Sequence, residues 1–158
     1  MKRRILLDLW KVLTKLEFLK HDVRFSYFIV KNKRAIKEEM QILNESQKPS
    51  NDFIEYDNIR VELAKKYSDK DEIGNPKVLN EQFVITENMY NFDMEMRKLK
   101  ERFKDTITAR EQQLKDYNDL LEEDIDFKLT KVKLECLPKQ IEPLFLEVFI
   151  EAGVIDED

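Results

Sequence analysis

Leu6, Leu9, Leu13 and Leu16 recur at steps of three and four, with Trp10 and Leu19 beside them. Apolar residues at that spacing line one side of a helix, which predicts an amphipathic helix over roughly residues 3–20. Lys20-His21-Asp22 interrupts the pattern, and Asp22 is a suitable N-cap for a second helix over about 23–45. In that helix Phe25, Ile29, Ile36, Met40 and Leu43 supply one face, while Lys31, Lys33, Arg34 and Lys37 crowd the polar side. So short a connection predicts an antiparallel helical hairpin.

The stretch SQKPSN (46–51) is a loop by composition, and Asp52 with Glu55 three residues later makes a capping-box-like start to a third helix. That helix is expected to reach about Tyr67 and to bury Tyr56, Ile59, Leu63 and Tyr67. Phe83–Thr86, β-branched and aromatic, predicts a short strand. The longest periodic stretch runs over about 92–124, where Phe92, Met96, Leu99, Phe103, Ile107, Leu114, Tyr117 and Leu121 form a seam with Arg110 its polar member. As one helix of about 30 residues it would span about 45 Å. Such a seam suits a coiled-coil arm or a bundle helix, and intramolecular packing is the expectation because three other amphipathic helices need partners.

Ile125, Phe127 and Leu129 alternate with polar residues, then Val132, Leu134 and Cys136 alternate in the opposite phase, so a strand with a bulge or break at Thr130-Lys131 is expected. Leu137-Pro138 ends it. A last helix follows, with Pro143 in its first turn and Gly153 just past its end. Leu144, Phe145, Leu146, Val148, Phe149 and Ile150 nearly encircle that helix, which is therefore either central to the core or a patch for a partner. The acidic tail IDED is expected to fray. The fold class is α+β, predominantly α: antiparallel helices, one long helix at about 92–124, and a small two- or three-stranded sheet. A single domain over 1–158 is expected, with a basic hairpin at 1–50 and an acidic remainder at 51–158.

Composition narrows the chemistry. Only Gly74 and Gly153 are glycines, so neither a GxGxxG nor a GxxxxGK[ST] phosphate loop can be built. Residues 1–50 hold 12 Lys and Arg against 6 Asp and Glu, net +6, while the remainder is net −11 within a total of −5. Either this polarity steers a partner or a second copy, or the two parts neutralise each other within the fold. Cys136 is the sole cysteine, which excludes an intrachain disulfide and fits a reducing cytoplasm. MKRR followed by ILLDLWKVL is not read as a signal peptide, since Asp8 and Lys11 break the apolar run and no small-residue cleavage site follows. No stretch approaches the ~18 apolar residues that span a bilayer, so no membrane partner is expected.

Candidate sites are few. In YSDKDEIGNPKV (67–78), an EF-hand loop counted from Asp69 has Asp71 at its third position and Gly74 at its sixth. It lacks oxygen ligands at Ile73 and Lys77 and the bidentate glutamate at Asn80, too few for calcium. Gly-Asn-Pro is turn chemistry instead. Lys31, Lys33, Arg34 and Lys37, with Lys2, Arg3 and Arg4, could contact phosphates, but a sequence pI near 5.2 weighs against nucleic acid. Cys136 falls in a strand pattern, expected buried and inert, and His21 is the lone histidine, so no triad or histidine-rich metal site can form within one copy. Glu122, Glu123, Asp124 and Asp126 cluster at a helix end, where negative charge is mildly unfavourable without a cationic partner. No enzyme, cofactor or metal is expected.

The series RVELAKKYSDKDEIGNPKV from Arg60, then FVITEN, then FDMEMRKL in a long helix, then a strand ending at Leu137-Pro138, resembles a group of small uncharacterised phage and prophage proteins. Those show a helical first half, a charged KDExGNP turn, a long helix ending near LLEEE and a short strand before a terminal helix. The likeness covers about residues 60–138, in pattern rather than in diagnostic residues. It implies a viral origin, host cytoplasm, and no active site to carry over. Expected is a non-enzymatic accessory protein that binds another protein, as a virion assembly factor or an inhibitor of a host defence or host enzyme. The candidate contact residues are Lys31, Lys33, Arg34, Lys37, Phe145 and Phe149. The alternative is a nucleic-acid-associated protein using the basic hairpin.

Overall fold

The computed structural model describes residues 1–156. It is α+β and predominantly α: α1 (Arg3–Leu16), α2 (Val23–Gln47), α3 (Asn51–Tyr67), β1 (Val78–Leu79), β2 (Gln82–Phe83), α4 (Met89–Arg102), α5 (Lys104–Glu122), β3 (Val132–Lys133), a 3₁₀ turn (Leu134–Cys136), α6 (Pro143–Glu151) and β4 (Ile155–Asp156). The chain divides into two compact units, one formed by 1–47 with 115–158 and the other by 48–114.

The first unit is built on the α1–α2 hairpin. Leu6, Leu9, Leu13 and Leu16 of α1 and Phe25, Phe28, Ile29, Ile36, Met40 and Leu43 of α2 are buried together with Leu121, Phe145, Phe149 and Val154. Asp22 caps α2 as its sequence position predicts, its Oδ1 accepting from the N–H groups of Arg24 (2.8 Å) and Phe25 (3.0 Å). α6 begins with Pro143 in its first turn, where the missing N–H costs nothing. It ends in a Schellman motif: Gly153, at φ 63°, donates to the Ile150 carbonyl, and Val154 donates to that of Phe149. Phe149 and Val154 are both fully buried, the apolar contact that accompanies such a cap.

The second unit has a thinner core. Tyr56 of α3, Leu99 of α4 and Phe103 are buried, with Phe53, Ile59, Leu63, Met96 and Ile107 packed around them. Here the expected single helix over 92–124 is corrected. It is interrupted at Phe103, whose backbone (φ −106°, ψ 20°) leaves the helical range. No glycine or proline marks the place; the interruption coincides with burial of Phe103, its ring 5.8 Å from that of Tyr56. The seam then changes allegiance. Residues as far as Ile107 serve the second unit, Leu114 is exposed, and Tyr117 and Leu121 join the first unit's core.

The strands form two separate pairs. β1 and β2 are antiparallel around a two-residue turn whose residues, Asn80 (φ 49°) and Glu81 (φ 63°), both have positive φ, the type I′ signature of tight hairpins. β3 and β4 are parallel, Val132 opposite Ile155, joined through α6. The strand expected at Phe83–Thr86 is thus displaced to Gln82–Phe83, and the one at 125–129 has no ladder. Ile125, Phe127 and Leu129 do alternate inward with exposed Asp126 and Lys128, so the pleat is there. Its only strand-like pairing among the described residues is at its start, where Ile125 exchanges backbone hydrogen bonds with Met1 beside the isolated antiparallel bridge Lys2–Asp124. Of the tail, Ile155 and Asp156 pair as β4; Glu157 and Asp158 lie outside the described residues.

Candidate interaction surface

The Asp69–Pro76 loop closes on itself. Asp71 Oδ1 accepts from the N–H groups of Ile73 (3.0 Å) and Asn75 (2.8 Å), and the Gly74 N–H (φ 85°) donates to the Asp71 carbonyl (3.0 Å). Asp69 accepts from the Thr86 hydroxyl and from the N–H groups of Thr86 (3.0 Å) and Glu87 (3.3 Å). The Thr86 hydroxyl, then the Thr86 N–H, hold the Asp69 carboxyl below its ordinary value. Asp71 thus closes the turn predicted from Gly-Asn-Pro, and Asp69 fastens it to the segment after β2.

Charge that is polarised along the chain is largely matched in space. Lys2 and Arg4 both pair with Glu122 at 2.6 Å, and Arg3 joins Glu39 (2.6 Å) and Glu123. The acidic end of α5 therefore meets the basic start of α1, and hydrogen bonds from Lys2 and then Arg4 pull the Glu122 pKa down. By composition the first unit holds 16 basic against 19 acidic residues, net −3, and the second 12 against 14, net −2. Internal neutralisation, one of the two outcomes left open by the sequence, accounts for Lys2, Arg3 and Arg4.

His21 lies between α1 and α2, as expected, with Nε2 donating to the Leu16 carbonyl (2.9 Å) and its ring edge-on to Phe25. Cys136 departs from its expected strand: it sits in the 3₁₀ turn and is half-buried. Among the described residues, no three His, Cys, Asp or Glu side chains converge as metal ligands would.

The six expected contact residues separate. Phe145 and Phe149 are 6% and 0% exposed and belong to the core of the first unit, which leaves Leu144 and Ile150 as the exposed apolar residues of α6. Lys33 is drawn onto the Trp10 ring (4.7 Å) and pairs with Glu17. Lys31, Arg34 and Lys37 remain on the surface, outside every ion pair among the described residues. Beside them lie residues the sequence reading missed: Val23, Tyr27 and Val30, exposed on the side of α2 opposite its core face, with Phe18 and Leu19 in the connection before it. Lys31 lies 5.5 Å from the Tyr27 ring. The available signal was a second four–three stripe on a helix whose first stripe was already assigned.

Against protein-family models, curated proteins and solved structures, the chain has no match.

Proposed function

We propose that this chain is a non-enzymatic binding protein that engages another protein through the solvent face of α2 and the α1–α2 connection. The observation that carries this is the set of exposed residues Phe18, Leu19, Val23, Tyr27 and Val30 with Lys31, Arg34 and Lys37, which enter no ion pair among the described residues. Scattered exposed apolar residues need no explanation, but Val23, Tyr27 and Val30 share one helix face, continued along the helix by cations, which is the composition of a contact patch. The resemblance noted in the sequence favours a phage accessory role, in particle assembly or in blocking a host factor in the cytoplasm.

The second reading, phosphate binding by the basic hairpin, retains Lys31, Arg34 and Lys37 but loses Lys2, Arg3, Arg4 and Lys33 to ion pairs. Retention on duplex DNA that falls steeply with salt would favour it. The test of the first reading is affinity purification from native host lysate with the parent and Val30→Asp. A protein captured by the parent over a broad salt range and lost by a folded variant supports it. An identical captured set with both overturns it.

A further inference from the structure

We infer that the occupant of this face is an acidic amphipathic helix of the partner protein, laid along α2 in coiled-coil fashion; this deepens the binding reading above and rests on it. Val23, Tyr27, Val30, Arg34, Lys37 and Gln41 step by four and three in strict alternation, the spacing of the two inward positions of a heptad repeat. At about 100° per residue they stay within about 40° of one line along the helix, opposite the buried line through Phe25, Asn32, Ile36 and Leu43. α2 thus carries two seams. One is consumed by the core of its own unit. The other is open, with Val23 84%, Tyr27 61% and Val30 47% exposed.

Charge chooses the occupant. Arg34 and Lys37 lie in the open seam, while Arg24 and Lys31 follow Val23 and Val30 on its flank, the position that forms interhelical ion pairs. None of these four enters an ion pair among the described residues, whereas Lys2, Arg3, Arg4, Lys11 and Lys33 of the same hairpin all do. The complementary surface is apolar opposite Val23, Tyr27 and Val30 and carries Asp or Glu opposite the four cations. Two parallel copies of this seam would set Arg34 against Arg34 and Lys37 against Lys37, so charge favours a different chain. A phosphate backbone would leave the three apolar residues without a partner, and a bilayer surface would not read their register.

The test titrates the full chain with two helical peptides of about four heptads. Both carry leucine opposite Val23, Tyr27 and Val30; one has Glu and the other Lys at every position facing the cations. Fluorescence anisotropy should show the Glu peptide binding at least ~10-fold tighter, about 1.4 kcal/mol. Arg34→Glu with Lys37→Glu should reverse that preference, and Val30→Asp should abolish it with the circular dichroism spectrum and Tm unchanged. Equal binding of the two peptides overturns the inference, as does failure of both, or tighter binding of duplex DNA or phosphatidylglycerol vesicles than of the Glu peptide. The lysate experiment separates the two levels: a captured protein lost by Val30→Asp keeps the binding reading while the peptides reject the acidic helix.

Discussion

The side-chain amide of Asn32 grips the backbone of Thr130, 98 residues further along the chain: Nδ2 donates to the Thr130 carbonyl (3.0 Å) and Oδ1 accepts from its N–H (2.8 Å). Asn32 is fully buried on the core face of α2, at the polar step between Ile29 and Ile36. Its amide supplies the two bonds that a neighbouring strand would otherwise give the Thr130 backbone, just before the chain enters β3.

Asn32→Leu should therefore destabilise although leucine suits the stripe. It leaves the Thr130 N–H and carbonyl without protein partners, at a cost of about 1–3 kcal/mol. Asn32→Asp should cost more, because a carboxylate accepts from the N–H but opposes the carbonyl. Urea unfolding followed by circular dichroism measures both; a Leu variant as stable as the parent would mean water replaces the amide freely.

Phe149→Ala should lose about 3–5 kcal/mol, as deletion of a fully buried aromatic ring does. Ile150→Ala, next in sequence but 57% exposed, should stay within about 0.5 kcal/mol. Thermal unfolding of the two variants discriminates core from surface on the same helix. A Phe149 variant of parental stability would remove that residue from the core.

Gly153→Ala tests the end of α6. No atom lies within 4 Å of the added methyl, so the expected loss of about 1 kcal/mol comes from holding alanine at φ 63°. The loss should appear in Tm without a change in helix content beyond the last turn.

Acid should loosen the molecule at two defined places. Folding lowers the pKa of Asp69, through the Thr86 hydroxyl, and of Glu122, through Lys2. Each contribution is fully present above the unfolded-state values of about 3.9 and 4.3 and is lost as pH falls through the lower folded values. Tm should thus be flat near neutrality and fall in the acid range. Asp69→Asn with Glu122→Gln should flatten that fall.

Added calcium or a chelator should leave the Tm of the parent unchanged, since the Asp69 and Asp71 carboxylates already accept donors of their own loop. Asp71→Ala should lower Tm modestly, by loss of the turn, and remain calcium-insensitive. A chelator-sensitive parent would assign these residues to a metal.

Several local signals were legible in the sequence, although the cap of α3 was not among them: Ser50, rather than Asp52, accepts from the Phe53 N–H. The Asp22 cap, the Asp71–Gly74 turn, Pro143 in the first turn and Gly153 at its end depend on backbone geometry within a few residues. Phe103 could not be read that way, because no glycine or proline marks the interruption, which coincides with packing against Tyr56 from a distant helix. The Leu79–Gln82 hairpin was hidden because Glu81 is an uncommon residue at positive φ.

The pattern of apolar residues by itself determined that the chain is mostly helical, which faces of α1 and α2 are buried, and where α1 turns into α2. Only the tertiary structure decided that Lys2, Arg3 and Arg4 are neutralised while Lys31, Arg34 and Lys37 enter no ion pair among the described residues, and that Phe149 is interior while Val30 is not. The physical reason is range. Periodicity and capping act within a few residues, whereas ion pairing and burial depend on which distant segment arrives against a given face.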